Sequence, residues 1–150
     1  MWNGDSLGVN EAIVSTGDYL PIHGTWELIQ QSDGNLVLYG WFFNRNPAER
    51  RFEWSSGVQL KTDDLHTVRT YLQDDGNLCT YYTTPTGTKA VWCSGSATRD
   101  RSLAYTLNIG GRYNGEVFIY GFDPARHMRT VHKFRLNSRS ILDKPGFIDV

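Results

Sequence analysis

Between Gln31 and Tyr39 polar and aliphatic side chains alternate with a period of two, and the same order returns 42 residues later between Gln73 and Tyr81. Alternation of this kind predicts a β-strand with one face in water, because successive side chains of an extended chain point to opposite sides. In the first copy Gln31, Asp33, Asn35, Val37 and Tyr39 share one face, while Leu36 and Leu38 turn the other way, towards a core. The second copy keeps Gln73, Asp75, Asn77 and Tyr81 and sets Cys79 where the first has Val37. As one extended strand the row covers about 25 Å at ~3.3 Å per residue. It offers carboxylate, amide and phenol groups that donate and accept together, a chemistry that suits vicinal hydroxyls. A repeat at fixed spacing predicts a fold assembled from similar units.

The rest of the chain agrees with an all-β fold. Five Trp, eight Tyr and seven Phe, with fifteen Gly, accompany many β-branched residues, and long runs of helical periodicity are absent. The 150 residues fit a single domain, 1–150, large enough to bury a core without metal or disulfide staples. A net charge of −1 gives no global field to recruit nucleic acid or an anionic membrane. Residues 121–150 nevertheless carry six Lys/Arg against three Asp, a local +3. This tail reads as a basic segment packed on a body of −4, or as the docking point of an acidic partner.

No apolar run reaches membrane-spanning length, and Met1-Trp2-Asn3-Gly4-Asp5 lacks the basic and apolar regions of a secretion signal. The expectation is a cytoplasmic protein that does not insert into membranes; a secreted mature form is the alternative.

Residues 4–30 predict turns and short strands at Ala12-Ile13-Val14, at Ser15 to Leu20 and at Gly24 to Ile29. Each repeat then reads as a hairpin ending in Trp-x-Ser-Gly, at Trp54-Ser55-Ser56-Gly57 and Trp92-Cys93-Ser94-Gly95. With turn centres at Asn46 and Thr86, Val37 falls opposite Ser55 and Cys79 opposite Cys93. Such a register permits a Cys79–Cys93 bridge, whereas a reducing compartment favours free thiols; both states stay open. Parity sends Trp54 and Trp92 inward, with Leu36, Leu38 and Leu78. Trp2, Trp26 and Trp41 are left without an assigned face.

The pattern Gln-x-Asp-x-Asn-x-Val-x-Tyr, held in full by the first copy and with Cys79 for Val by the second, resembles the mannose-binding signature of the bulb-type (monocot) lectins. The resemblance covers roughly residues 4–120 and includes the Trp-x-Ser-Gly endings. It implies a β-prism II fold, three four-stranded antiparallel sheets with pseudo-threefold symmetry and tryptophans along the axis. It also implies that Asp33 and Asn35 hold the axial 2-hydroxyl of mannose, Gln31 the 3-hydroxyl and Tyr39 the 4-hydroxyl, with Val37 against the ring carbons. Asp75, Asn77, Gln73, Tyr81 and Cys79 would do the same in the second copy, with neither metal nor cofactor. The family's usual disulfide does not carry over, since neither cysteine stands at its positions.

A third unit is expected near residue 114, where Arg112, Asn114, Glu116, Phe118 and Tyr120 keep the periodicity but not the ligand set. It predicts a structural sheet with an empty or altered site. In the family the C-terminal strand commonly crosses to a second subunit, which implies a homodimer; capping of the same chain by its own tail, through Thr130 to Leu136 and Ile141 to Ile148, is the alternative.

Catalysis is not expected. Adjacent carboxylates such as Asp74 and Asp75 point to opposite faces of a strand, and His23, His66, His127 and His132 show no zinc spacing with the cysteines. Each motif residue also has a plain structural role available, because Asp33-Gly34 and Asp75-Gly76 are turn dipeptides. A protein-binding module that kept the prism and lost the sugar is the other function class, its basic tail holding an acidic partner such as a cytoskeletal filament.

Overall fold

The computed structural model describes residues 6–8, 10–17, 24–42, 49–61, 67–100, 102–110, 116–137 and 145–148. Short β-prone runs separated by Gly, Asp and Asn give these residues twelve strands and one 3-10 turn, Pro124–Arg126. In chain order the strands are β1 (Ser6–Gly8), β2 (Ala12–Gly17), β3 (Gly24–Gln30), β4 (Leu36–Phe42), β5 (Glu49–Ser55) and β6 (Thr67–Leu72). There follow β7 (Leu78–Thr84), β8 (Gly87–Cys93), β9 (Ala104–Gly110), β10 (Glu116–Asp123), β11 (Arg129–Arg135) and β12 (Gly146–Ile148).

They form three four-stranded sheets, β2-β3-β4-β5, β1-β6-β7-β8 and β12-β11-β10-β9, and every pairing is antiparallel. This is the all-β prism of three four-stranded sheets that the resemblance implies. Each sheet turns one face inward, and Leu28, Leu36 and Leu38 of the first meet Leu72 and Leu78 of the second and Leu107, Val117, Ile119 and Phe134 of the third. Trp54 and Trp92 pack against this core with ring centroids 5.9 Å apart, edge to face, as parity requires. Trp26 is buried as well, and its ring lies so close to Gly40 that a Cβ there would sit 2.5 Å from it.

Three expectations are corrected in detail. The alternating stretches are not single strands: Gln31 to Asn35 and Gln73 to Asn77 are turns, and β4 and β7 begin only at Leu36 and Leu78. In each turn the glycine N–H donates back to the glutamine carbonyl, at 3.1 Å for Gly34 and 3.0 Å for Gly76. The glycines have φ of +88° and +86°, a conformation that L side chains rarely adopt and that puts the turn chemistry of Asp-Gly ahead of strand periodicity. Secondly, Ala12–Gly17 is one continuous strand, not two runs, and Tyr19 and Leu20 lie outside the described residues.

The third correction concerns register. Val37 does pair with Ser55 and Cys79 with Cys93, but a bulge follows in each hairpin, between Leu38 and Tyr39 and between Thr80 and Tyr81. The second hairpin therefore closes on Pro85-Thr86, flanked by the pair Thr84 and Gly87, and is not centred on Thr86. Asn46, the other expected centre, lies outside the described residues.

At the end of the chain β12 pairs with β11 of the same chain, so the tail caps its own third sheet. Among the described residues no helix is long and apolar enough to cross a membrane.

Candidate functional site

Because Gln31 to Asn35 is a turn, Gln31 folds back over the strand it precedes. Its Nε2 donates to the Tyr39 hydroxyl at 2.9 Å, eight residues on, a contact that a fully extended stretch would forbid. The second copy makes the same bond between Gln73 and Tyr81. Five residues that a straight strand would string out are thus gathered into one patch.

Asp33 and Asn35 are held in place by backbone. Asp33 Oδ1 accepts the Asn35 N–H at 3.0 Å, and Asp75 Oδ1 accepts that of Asn77 at 2.9 Å. The carbonyls of Asp33 and Asp75 accept the N–H groups of Leu60 and Thr98, both at 2.7 Å, which ties each turn to the segment after its hairpin. Asn35 Oδ1 accepts from the Ser56 hydroxyl at 3.2 Å and from the Gly57 N–H at 2.9 Å. Asn77 Oδ1 likewise accepts from Ser94 at 3.2 Å and from Gly95 N–H at 3.1 Å, with Ser96 N–H added at 3.2 Å. A backbone N–H can only donate, so it fixes which end of each amide faces the turn and leaves Nδ2 pointing away from these bonds.

Each patch then retains a matched set of polar groups without a partner among the described residues: the second carboxylate oxygen of Asp33 or Asp75, Nδ2 of Asn35 or Asn77, and the phenolic proton of Tyr39 or Tyr81. Gln31, Asp33, Asn35 and Tyr39 are partly exposed, as are Gln73, Asp75, Asn77 and Tyr81. The row of acceptor and donors is one that sugar hydroxyls can complete.

Val37 and Cys79 fit their expected role less well. Each is 2% exposed, so neither lies open to a ring. Cys79 is bridged to Cys93, which settles the state of the thiols in this structure. The Cys79 sulfur lies 3.9 Å from Gln73 Oε1, so the disulfide forms part of the second patch's floor.

Several contributors are invisible to the motif. Ser56 and Ser94 accept the N–H groups that open β4 and β7, both at 3.1 Å, and also hold the asparagines; their recurrence two residues after Trp54 and Trp92 is the signal for them. Arg50 lays its guanidinium over the Tyr39 ring, 3.9 Å from the centroid, while in the second patch Tyr71 meets Tyr81 edge to face at 5.8 Å. Neither is predicted: the place of Arg50 depends on the bulged register of β4 and β5, and that of Tyr71 on the pairing of β6 with β7, which the motif does not contain.

In the third unit Glu116, Phe118 and Tyr120 occupy the places of Asn35, Val37 and Tyr39, and Arg112 and Asn114 lie outside the described residues. Arg135 replaces Ser55 and Cys93 opposite Phe118, and it pairs with Glu116 at 3.5 Å. Asn137 Oδ1 takes over the capping of β10, accepting the Val117 N–H at 3.0 Å. The neutral Asn35 and Ser55 of the first unit are replaced there by the charged Glu116 and Arg135.

Sizeable concavities lie elsewhere, one of about 880 Å³ between residues 97–100 and strands β11 and β12, another of about 660 Å³ at the Pro85-Thr86 hairpin, and neither is lined by a motif residue. The motif patches are shallow surfaces, the form that an exposed oligosaccharide can reach. Among the described residues no three His, Cys, Asp or Glu side chains cluster as metal ligands would. No family model matches the chain, and no curated protein or solved structure matches it.

Proposed function

We propose that this chain is a non-catalytic, metal-independent lectin domain of the bulb-type kind, binding mannose and mannose-rich glycans through two equivalent patches. What carries the reading is the duplication: two hairpins separated in sequence hold Gln, Asp, Asn and Tyr in the same hydrogen-bonded arrangement and leave the same acceptor and donors unused. A merely structural role for the turns does not call for a Tyr hydroxyl and a Gln amide to meet over each of them.

In this reading the Asp carboxylate and the Asn amide of each patch take the axial 2-hydroxyl, one accepting its proton and the other donating to its oxygen. Tyr39 and Tyr81 reach the 4-hydroxyl, and Gln31 and Gln73 the 3-hydroxyl. A sugar whose 3- and 4-hydroxyls bind Gln31 and Tyr39 exchanges their internal hydrogen bond for bonds to its own hydroxyls. An equatorial 2-hydroxyl would leave Asp and Asn desolvated and unpaired, at a cost of about 1–3 kcal/mol. Because the bonds mostly replace bonds to water, each patch binds in the roughly millimolar range. Two patches on one chain raise the affinity for a branched glycan by about 10²-fold when both are engaged.

The test is retention on mannose-agarose with elution by methyl α-mannoside, followed by NMR titration of the labelled protein. Tyr39→Phe with Tyr81→Phe keeps both rings and is expected to abolish retention. Asn35→Ala with Asn77→Ala is a poorer probe than the motif suggests, since it also unpairs the Gly57 and Gly95 amides. Flow-through of the unmodified protein, together with salt-sensitive capture by an acidic protein, would favour the protein-binding module instead.

A further inference from the structure

The outer face of the third sheet carries chemistry that the proposed mannose patches do not use. Phe118, Tyr120 and Phe122 alternate along β10, with neighbouring centroids 5.8 and 6.1 Å apart and planes tilted by 32° and 34°. On one flank Asn108 and Thr106 of β9 stand opposite Phe118 and Tyr120, and the Asn108 amide donates to the Thr106 hydroxyl at 3.3 Å. On the other flank stand Arg135 and Lys133 of β11, opposite the same two residues.

The two cations differ in how far they are committed. Arg135 is buried, pairs with Glu116 at 3.5 Å and donates from Nε to the Asn137 carbonyl at 2.8 Å. Lys133 has no carboxylate partner among the described residues; its Nζ sits 4.5 Å from the Phe118 centroid and 5.8 Å from that of Tyr120. An ammonium on aromatic faces keeps only part of its hydration and remains able to pair with an anion. Tyr120 stays a phenol at neutral pH, since burial and then the negative charge of Glu116 push its pKa up.

Amide and hydroxyl, aromatic row and a cation with no carboxylate partner among the described residues therefore lie side by side across three adjacent strands. A neutral mannoside finds no Asp and Asn pair here, because Glu116 stands at the asparagine position and is engaged by Arg135. A simple anion would have no use for the aromatic row or for Asn108. We propose that this face is a third saccharide site, specific for a carboxylated pyranoside such as a hexuronic acid. The carboxylate pairs with Lys133, the ring's apolar side lies along Tyr120 and Phe122, and its hydroxyls meet Thr106 and Asn108. The inference rests on reading the first two faces as sugar sites, which makes the third their charged counterpart.

Titration of the ¹⁵N-labelled full chain with methyl glucuronide, methyl glucoside and acetate, in separate samples, tests it. Methyl glucuronide is expected to give saturable shifts at residues 106–108, 118–122 and 132–135 and none at 31–39 or 73–81. Lys133→Gln should weaken this response by at least about tenfold and Lys133→Arg restore it, with the response of the other faces to mannoside unchanged in both. Three results would each overturn the proposal: no shift up to about 50 mM glucuronide, an equal response to the glucoside or to acetate, or full binding by Lys133→Gln. Mannoside titrated into the same samples reads the first two faces separately, so either reading can fail without the other.

Discussion

Thr70 shows how far a single buried hydroxyl can matter in a fold of this size. Its Oγ1 meets Gln30 Oε1 from the first sheet and Thr80 Oγ1, at 2.6 Å, from the neighbouring strand, and all three residues are fully buried. Thr70→Val keeps the shape and removes the donor to Gln30, so a loss of about 1–3 kcal/mol is expected in urea unfolding. A change under about 0.5 kcal/mol would mean that the knot is dispensable. The motif residues themselves were easy to find from sequence, since Gln31, Asp33, Asn35 and Tyr39 repeat as Gln73, Asp75, Asn77 and Tyr81. Their division of labour was not: that Asn35 spends its oxygen on Ser56 and Gly57 follows from a segment 21 and 22 residues away, just past β5, which no local pattern encodes. The burial of Val37 is not encoded locally either, since its neighbours across the sheet are Ile29 and Ser55.

Turn chemistry and strand periodicity compete within the same nine residues, and the turn prevails at their first half. Gly34 and Gly76 decide that outcome. A Cβ on Gly34 would lie 2.8 Å from Val58, and one on Gly76 2.6 Å from the Tyr105 ring, with φ positive at both. Either glycine changed to Ala is expected to lose about 1–2 kcal/mol from backbone conformation alone, plus whatever the neighbours cannot yield, and to weaken mannoside binding at its own patch only. Thermal unfolding with site-resolved titration checks both parts. The disulfide belongs to this scale too. It closes a separation of 14 residues, for which about 3 kcal/mol of stabilisation is expected. Cys79→Val with Cys93→Ser reproduces the first hairpin's own pair, Val37 and Ser55. It should lower stability by that amount yet leave mannoside binding at the second patch in place; loss of binding would show that the bridge shapes the floor in a way Val cannot. The opposition of the cysteines was legible because hairpin register propagates from strand to strand, whereas the bulge beyond it was not, since the polar, exposed residues of β8 carry no alternation whose shift of phase could reveal it.

The three sheets are alike in plan and differ in where their fourth strand comes from. The first takes β2, next in sequence to β3; the second borrows β1, and the third is closed by β12. The resemblance implies three sheets, but the choice between own-chain and partner-chain outer strands was not legible, because three-residue pieces such as Ser6–Gly8 and Gly146–Ile148 carry too little pattern to assign a partner. If β12 stays paired with its own β11, where Phe147 meets Phe134 edge to face with centroids 5.0 Å apart, a monomer mass is expected in sedimentation. A dimer mass would show that the strand is exchanged between two chains instead. The position of β1 bears on how the molecule comes into being. Synthesis delivers every strand of the first sheet within residues 12–55, so that wall can assemble while the remainder is still on the ribosome. Leu7, by contrast, must wait beside it until Thr70 arrives to pair with it, so that β1, made before the first sheet, finds its place after it.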